Sequence, residues 1–138
     1  MLHYGEEQRL TCFDHVHIFG HMDNITAINI FAALAQSTRL DAFRLLVQHE
    51  PDGLPAGELA RRLEVPHNTL SAHLAVLSRA GLVVSQRQSR SIIYRASLEQ
   101  MQATLGFLVH DCCAGRPELC APLLDALQPC CPDKKDMP

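Results

Sequence analysis

Residues 56–96 read AGELARRLEVPHNTLSAHLAVLSRAGLVVSQRQSRSIIYRA, and the reading of this stretch decides the fold. Within 56–63, Leu59, Ala60 and Leu63 recur at helical spacing, which predicts a short helix with those three turned inward. Glu64-Val65-Pro66 ends it, because the residue before a proline is pushed out of the helical region. Residues 67–80 resume the period through Leu70, Leu74 and Leu77, and Gly81 stands where a helix stops in a left-handed residue. From residue 82 the period falls to two and β-branched residues dominate. This predicts strands at 82–87 and 91–95 about a turn at Gln88-Ser89-Arg90. Two short helices and then a two-stranded hairpin are the order of a winged helix-turn-helix, a mainly α fold.

That order has a use. A helix fits the major groove of B-DNA, and its N-terminal half reaches the base edges. Here that half carries His67, Asn68, Thr69, Ser71 and, further on, His73, opposite the leucine stripe. Arg87 and Arg90 flank the wing turn, in reach of phosphates or the minor groove. The plainer alternative for the polar helix face is a solvated surface; the hairpin behind it weakens that alternative further and favours double-stranded DNA. Net charge is −3, which is unfavourable for a DNA binder, but the charge is segregated. Residues 58–95 carry Arg61, Arg62, Arg79, Arg87, Arg90 and Arg95 against Glu58 and Glu64, a net of +4, while 1–57 and 96–138 are both acidic. Only the middle third offers phosphates a favourable field.

Outward from this centre, 24–35 place Ile25, Ile28, Phe31, Ala32 and Ala35 on one helical stripe. Ser37 is the expected N-cap of a helix over 38–49 that carries Leu40, Phe43, Leu45, Leu46 and Val47. Residues 50–55, EPDGLP, form a turn. Residues 98–113 return to helical period through Leu98, Met101, Leu105, Leu108 and Val109, with Gly115 and Pro117 stopping the helix. Short helical turns are expected over 117–128, broken at Pro122. The 138 residues therefore divide into an N-terminal extension, 1–21, expected to be flexible; a DNA-binding and dimerisation domain, 22–115; and a cysteine-bearing segment, 116–138. Cys12, His15, His17 and His21 give the extension a metal-like composition, yet a loose tail is its plainer reading. No long apolar run marks a membrane span or a secretory signal, so a cytoplasmic protein is expected.

Six cysteines without a signal read as metal-binding or redox-active thiols rather than a disulfide scaffold. A single cysteine is most often a small buried apolar residue. Adjacent pairs resist that reading, since successive helix positions point about 100° apart. In HDCCAGRPELC, residues 110–120, Cys112 and Cys113 are neighbours and Cys120 follows. Such thiols suit a soft ion or a trivalent metalloid. Zinc, cadmium and lead also fit if His110 or Asp111 adds a fourth ligand. An enzyme with a nucleophilic cysteine would need an anion-binding loop; CCAGRPEL has one arginine and no Gly-rich cradle.

The runs LAQSTRLDAFRLL (34–46) and GELARRLEVPHNTLSAHLAVLSRAGLV (57–83), with the arginine-bearing hairpin ending at Tyr94, resemble the ArsR/SmtB family of bacterial metal-responsive repressors. The resemblance covers roughly 24–109, and its most specific part is Ser71 to Val83. It implies a homodimer formed by the first and last helices and repression relieved by an inducer; the stripes Ile25/Ile28/Phe31 and Leu105/Leu108/Val109, more than one small core can hide, likewise predict a two-fold dimer, which would read an inverted-repeat operator. The chain departs from the pattern at Ser89, where a glycine is expected. One frequent inducer site of the family, a Cys-x-Cys at the start of the first helix-turn-helix helix, is absent from LPAGEL; a zinc site on the last helix lacks its later histidine. Cys112, Cys113 and Cys120 match the arsenic-responsive branch, which makes arsenic(III) the expected inducer and no organic cofactor necessary. The alternatives are redox sensing through the same thiols, or a cadmium, lead or zinc sensor. Cys130-Cys131 is a second pair, auxiliary or inert.

Overall fold

The structure, a computed structural model, describes residues 22–112 and 116–127. The chain divides into two units, Met1–Thr104 and Leu105–Pro138. The first unit opens with α1 (Asn24–Leu34) and α2 (Ser37–Gln48). It continues through β1 (Leu54–Pro55), α3 (Ala56–Leu63), α4 (His67–Arg79) and the hairpin β2 (Val83–Gln88) and β3 (Ser91–Ala96). Helix α5 (Leu98–Cys112) begins in this unit and runs on into the second, which also holds α6 (Pro117–Leu127).

Asp23 caps α1 by accepting the Thr26 N–H at 2.7 Å, an interaction worth about 1 kcal/mol. The core face of α1 is Ala27, Ile30 and Ala33. Its larger apolar stripe stays outside the core: Ile25 is 71% exposed, Ile28 63% and Phe31 39%. Helix α2 starts one residue earlier than expected. Its N-cap is Gln36, not Ser37, because the Gln36 carboxamide oxygen reaches the Arg39 N–H at 2.8 Å. Phe43 and Leu46 of α2 join the core, whereas Leu40 and Val47 stay exposed.

Helix α3 ends at Glu64 in the left-handed region, with φ 56°, and Val65 donates its N–H back to Ala60 at 3.1 Å. The chain thereby reverses within three residues and α4 begins at His67. Leu70, Leu74 and Leu77 of α4 are fully buried among Leu46, Leu59 and Leu82, so the leucine stripe fixes which face of α4 remains outside. Gly81, with φ 79°, follows the C-cap Ala80 as expected.

The hairpin is present, and the sheet gains a strand that the sequence did not show. Its order is β1-β3-β2, with Leu54 opposite Tyr94 and Pro55 opposite Ile93. Gly53 makes that third strand possible. It has φ 73°, and a Cβ there would run into the backbone oxygen of Tyr94 and the side chains of Arg95 and Ile93. Gly53→Ala is expected to destabilise the fold by about 2 kcal/mol or more, read as a lower urea midpoint. Beside it, Arg95 pairs with Glu50 at 2.7 Å and ties the turn to β3. At the wing tip Ser89 takes φ 56°, the conformation glycine adopts freely, at a strain of about 1–2 kcal/mol.

Helix α6 corrects a further expectation. It runs unbroken through Pro122, which stands in its second turn and removes a single backbone donor from an 11-residue helix.

Candidate nucleic-acid interface

The outer face of α4 is built by its inner face. With Leu70, Leu74 and Leu77 locked in the core, His67, Asn68, Thr69 and Ser71 are exposed on the N-terminal half. Pro66 occupies the N-cap and supplies no side-chain acceptor, so no side-chain cap covers the N–H groups of that first turn. Short hydrogen-bonding side chains and open amides at one helix start are what base edges and phosphates accept.

His73 differs from its neighbours. It is half-buried, and its Nδ1 accepts from Arg39 Nη1 at 3.4 Å. Its ring is thus turned in part toward α2 rather than standing free with the other four. Arg39 was not singled out from the sequence; the only signal was the Gln36-x-x-Arg39 cap spacing within the QSTRL run.

The arginines of the basic middle separate into two groups. Glu58 accepts from Arg61 Nε at 3.0 Å and from Arg62 Nε at 2.8 Å. These hydrogen bonds, Arg61's first, hold the Glu58 carboxyl at about 2, so it stays charged at any pH used to study DNA. Arg62 also donates to Nε2 of His49 at 3.0 Å, and Arg95 is paired with Glu50. Among the described residues, Arg79, Arg87 and Arg90 make no ion pair. Arg87 stands on β2 opposite Ile92, and Arg90 is in the two-residue wing tip, both exposed. Unpaired wing arginines are free to displace counterions from DNA, whereas Arg61 is already neutralised. Arg87→Ala and Arg90→Ala should each weaken binding to every sequence and lower the salt slope by about 1. Arg61→Ala should leave the slope near wild type. The check is fluorescence anisotropy on a DNA duplex across a salt series; an Arg61→Ala slope that falls as far as the Arg90→Ala slope contradicts this division.

Cys112 is the last residue of α5 and Cys120 the fourth of α6. Cys113 lies outside the described residues, as do the side chains of Cys112 and Cys120, His110 and Asp111. Residues 1–21, with Cys12 and its histidines, and Cys130-Cys131 also lie outside them. Among the described residues no three His, Cys, Asp or Glu side chains gather as a metal site, and no helix is long and apolar enough to cross a membrane.

A helix-turn-helix domain family matches residues 34–86, a span that contains α3, α4 and most of β2. The transcriptional activator HlyU of Vibrio cholerae is 34% identical over 82 residues, covering 59% of this chain and 73% of HlyU. An ArsR-like transcriptional regulator from Rhodococcus sp. RHA1 shares the fold with a TM-score of 0.59 at 30% identity, over 74% of this chain and 93% of that one. Reduced HlyU from Vibrio cholerae does so with a TM-score of 0.50 at 33% identity, over 63% of this chain and 87% of its own.

Proposed function

The chain belongs to the ArsR family of transcriptional regulators, and from that premise we propose that it is a repressor released from its operator by trivalent arsenic. It is a DNA-binding transcriptional regulator with a winged helix-turn-helix, and its relatives are regulators of that kind rather than enzymes. The proposal adds the inducer, the direction of control and the assembly.

The single observation that carries the inducer is the thiol set. Cys112 is the last residue of α5, Cys113 is its neighbour in the sequence, and Cys120 is in α6. The donor set fits the ligand, because soft thiolates select soft acceptors and trivalent arsenic takes three sulfurs. The C-terminal end of a helix disfavours thiolate, which slows attack on arsenic; the exchange itself is proton-balanced, because As(OH)3 gives up one hydroxide for each thiol and the thiol protons leave with them as water. The homodimer is supported by the exposed stripe of Ile25, Ile28 and Phe31 on α1 and by Leu105, 47% exposed, on α5. Two protomers related by a two-fold would read an inverted repeat with half-sites about one DNA turn apart. Closing the three thiols on one arsenic reshapes the end of α5 and with it the spacing of the paired recognition helices.

Redox sensing through the same cysteines is the second reading, favoured by the likeness to HlyU, which has been solved in a reduced form. The two separate on one panel. An operator fragment selected with the purified protein is titrated with arsenite, antimonite, cadmium and zinc under strong reductant, and with peroxide before reductant is added. Release by arsenite or antimonite at low concentration, with no release by zinc, is the expected result. Release by peroxide before reductant is added, and none by arsenite with it, would establish the redox reading instead.

A further inference from the structure

We infer that Arg39 is a positioning residue, which sets α4 against the end of α1 through His73 and so contributes to operator affinity without touching DNA. The side chain spends its donors on two helices at once. Arg39 Nε donates to the backbone oxygen of Ala33 at 2.6 Å, and Nη2 donates to that of Ala32 at 3.4 Å. Those carbonyls belong to the last turn of α1, where that of Ala32 also accepts the Ala35 N–H at 3.3 Å and no basic residue of the helix itself is at hand. A guanidinium from the neighbouring helix satisfies them and opposes the negative end of the helix dipole. The Arg39 backbone is held as well, its N–H donating to the Gln36 cap. The planar fork is therefore fixed before its remaining donor, Nη1, meets His73 Nδ1 on α4.

Arginine only donates, so His73 must present an unprotonated Nδ1 and carry its proton on Nε2. That assigns His73 a role different from the base contact expected of it. His67, Asn68, Thr69 and Ser71 are exposed, while His73, one turn further along α4, is half-buried against Arg39. Arg39 also walls an open groove of about 390 Å³, with Val76 and Arg79 of α4 and its C-cap Ala80 on one side and Asn29, Ala32 and Ala33 of α1 on the other. Along this groove the packing between α1 and α4 is incomplete, so a polar contact there has angular freedom to restrain. At 3.4 Å the Arg39–His73 bond is long, and it holds an orientation more than it adds stability.

This inference rests on the DNA-recognition reading of α4 and not on the arsenic reading. The test is accordingly run on the full chain without inducer: a double-mutant cycle of Arg39→Ala and His73→Ala, read as operator affinity. Each single variant should lose operator affinity on the order of tenfold, and the double variant should lose no more than Arg39→Ala alone, since both singles break the Arg39–His73 contact. Binding to unrelated DNA and the salt slope should stay at wild-type values. His73→Gln, whose carboxamide oxygen can accept from Arg39, should recover most of the loss. His73→Ala leaves the α1 cap intact, so that arm decides the matter even if Arg39→Ala unfolds. Wild-type operator affinity in folded His73→Ala would overturn the inference. So would additive losses in the cycle, or an altered preference at one base pair alone, which would return His73 to the bases.

Discussion

Replacing Cys112 or Cys113 by serine leaves operator binding at the wild-type level and abolishes its release by arsenite. The first half follows from the core. Leu70, Leu74 and Leu77, which hold α4 in place, pack among Leu46, Leu59 and Leu82, and the sequence has no cysteine from residue 30 to residue 96, so each substitution falls outside the segment that builds the DNA-reading face. The second half follows from the donor count. Losing one thiolate leaves two sulfurs where arsenite uses three. Arsenic binding should lower operator affinity by a coupling of about 1–3 kcal/mol, or roughly 5- to 150-fold, and the serine variants forfeit all of it. Cys120→Ser should be graded differently, harming the response to arsenite more than that to a methylated arsenical, which needs only two sulfurs. Gel-shift titrations with both arsenicals give the comparison. Continued release of Cys112→Ser by arsenite would move the site elsewhere, with Cys130-Cys131 as the next pair to examine.

Ile28→Asp should have an effect of comparable size through assembly. Ile28 is 63% exposed in the protomer, so its loss removes little core packing and stability should change by no more than about 0.5 kcal/mol. A carboxylate in the centre of an apolar subunit contact is a different matter, since it would be buried without a partner. Monomers bind half-sites independently and lose the avidity of the pair, about 10²- to 10⁴-fold in operator affinity. Sedimentation at micromolar concentration, alongside a melting curve, checks both parts. A variant that stays dimeric would show that α1 is not the contact.

The sequence and the structure agree where a single physical requirement dominates. Leu70, Leu74 and Leu77 must be buried together, Pro66 must separate two helices, and Gly81 must end the second; each is a strong local constraint, and together they specify the recognition helix. Disagreement arises where a contact is remote in sequence. β1 exists because Gly53 lets the chain approach Tyr94, some forty residues away, and two residues of strand leave no periodicity to read. Gln36 replaces Ser37 as a cap because a longer side chain reaches the same amide from one position earlier. The stripe of Ile25, Ile28 and Phe31 was visible, but the smaller Ala27, Ile30 and Ala33 face proved to be the one that enters the core. In the interface, the exposed polar residues of α4 were legible from the leucines opposite them. The division of arginines into paired and unpaired was not, since the Arg95–Glu50 pair joins positions far apart in the chain.

Calorimetric titration of the reduced dimer with arsenite, run with and without saturating operator DNA, tests the central claim most directly. Linkage requires that operator weaken arsenite binding by the same factor by which arsenite weakens operator binding. The expected result is one arsenic per protomer in both runs, with affinity lower by roughly 5- to 150-fold in the presence of operator. Equal arsenite affinity with and without operator would contradict the claim, because a ligand indifferent to DNA cannot release it.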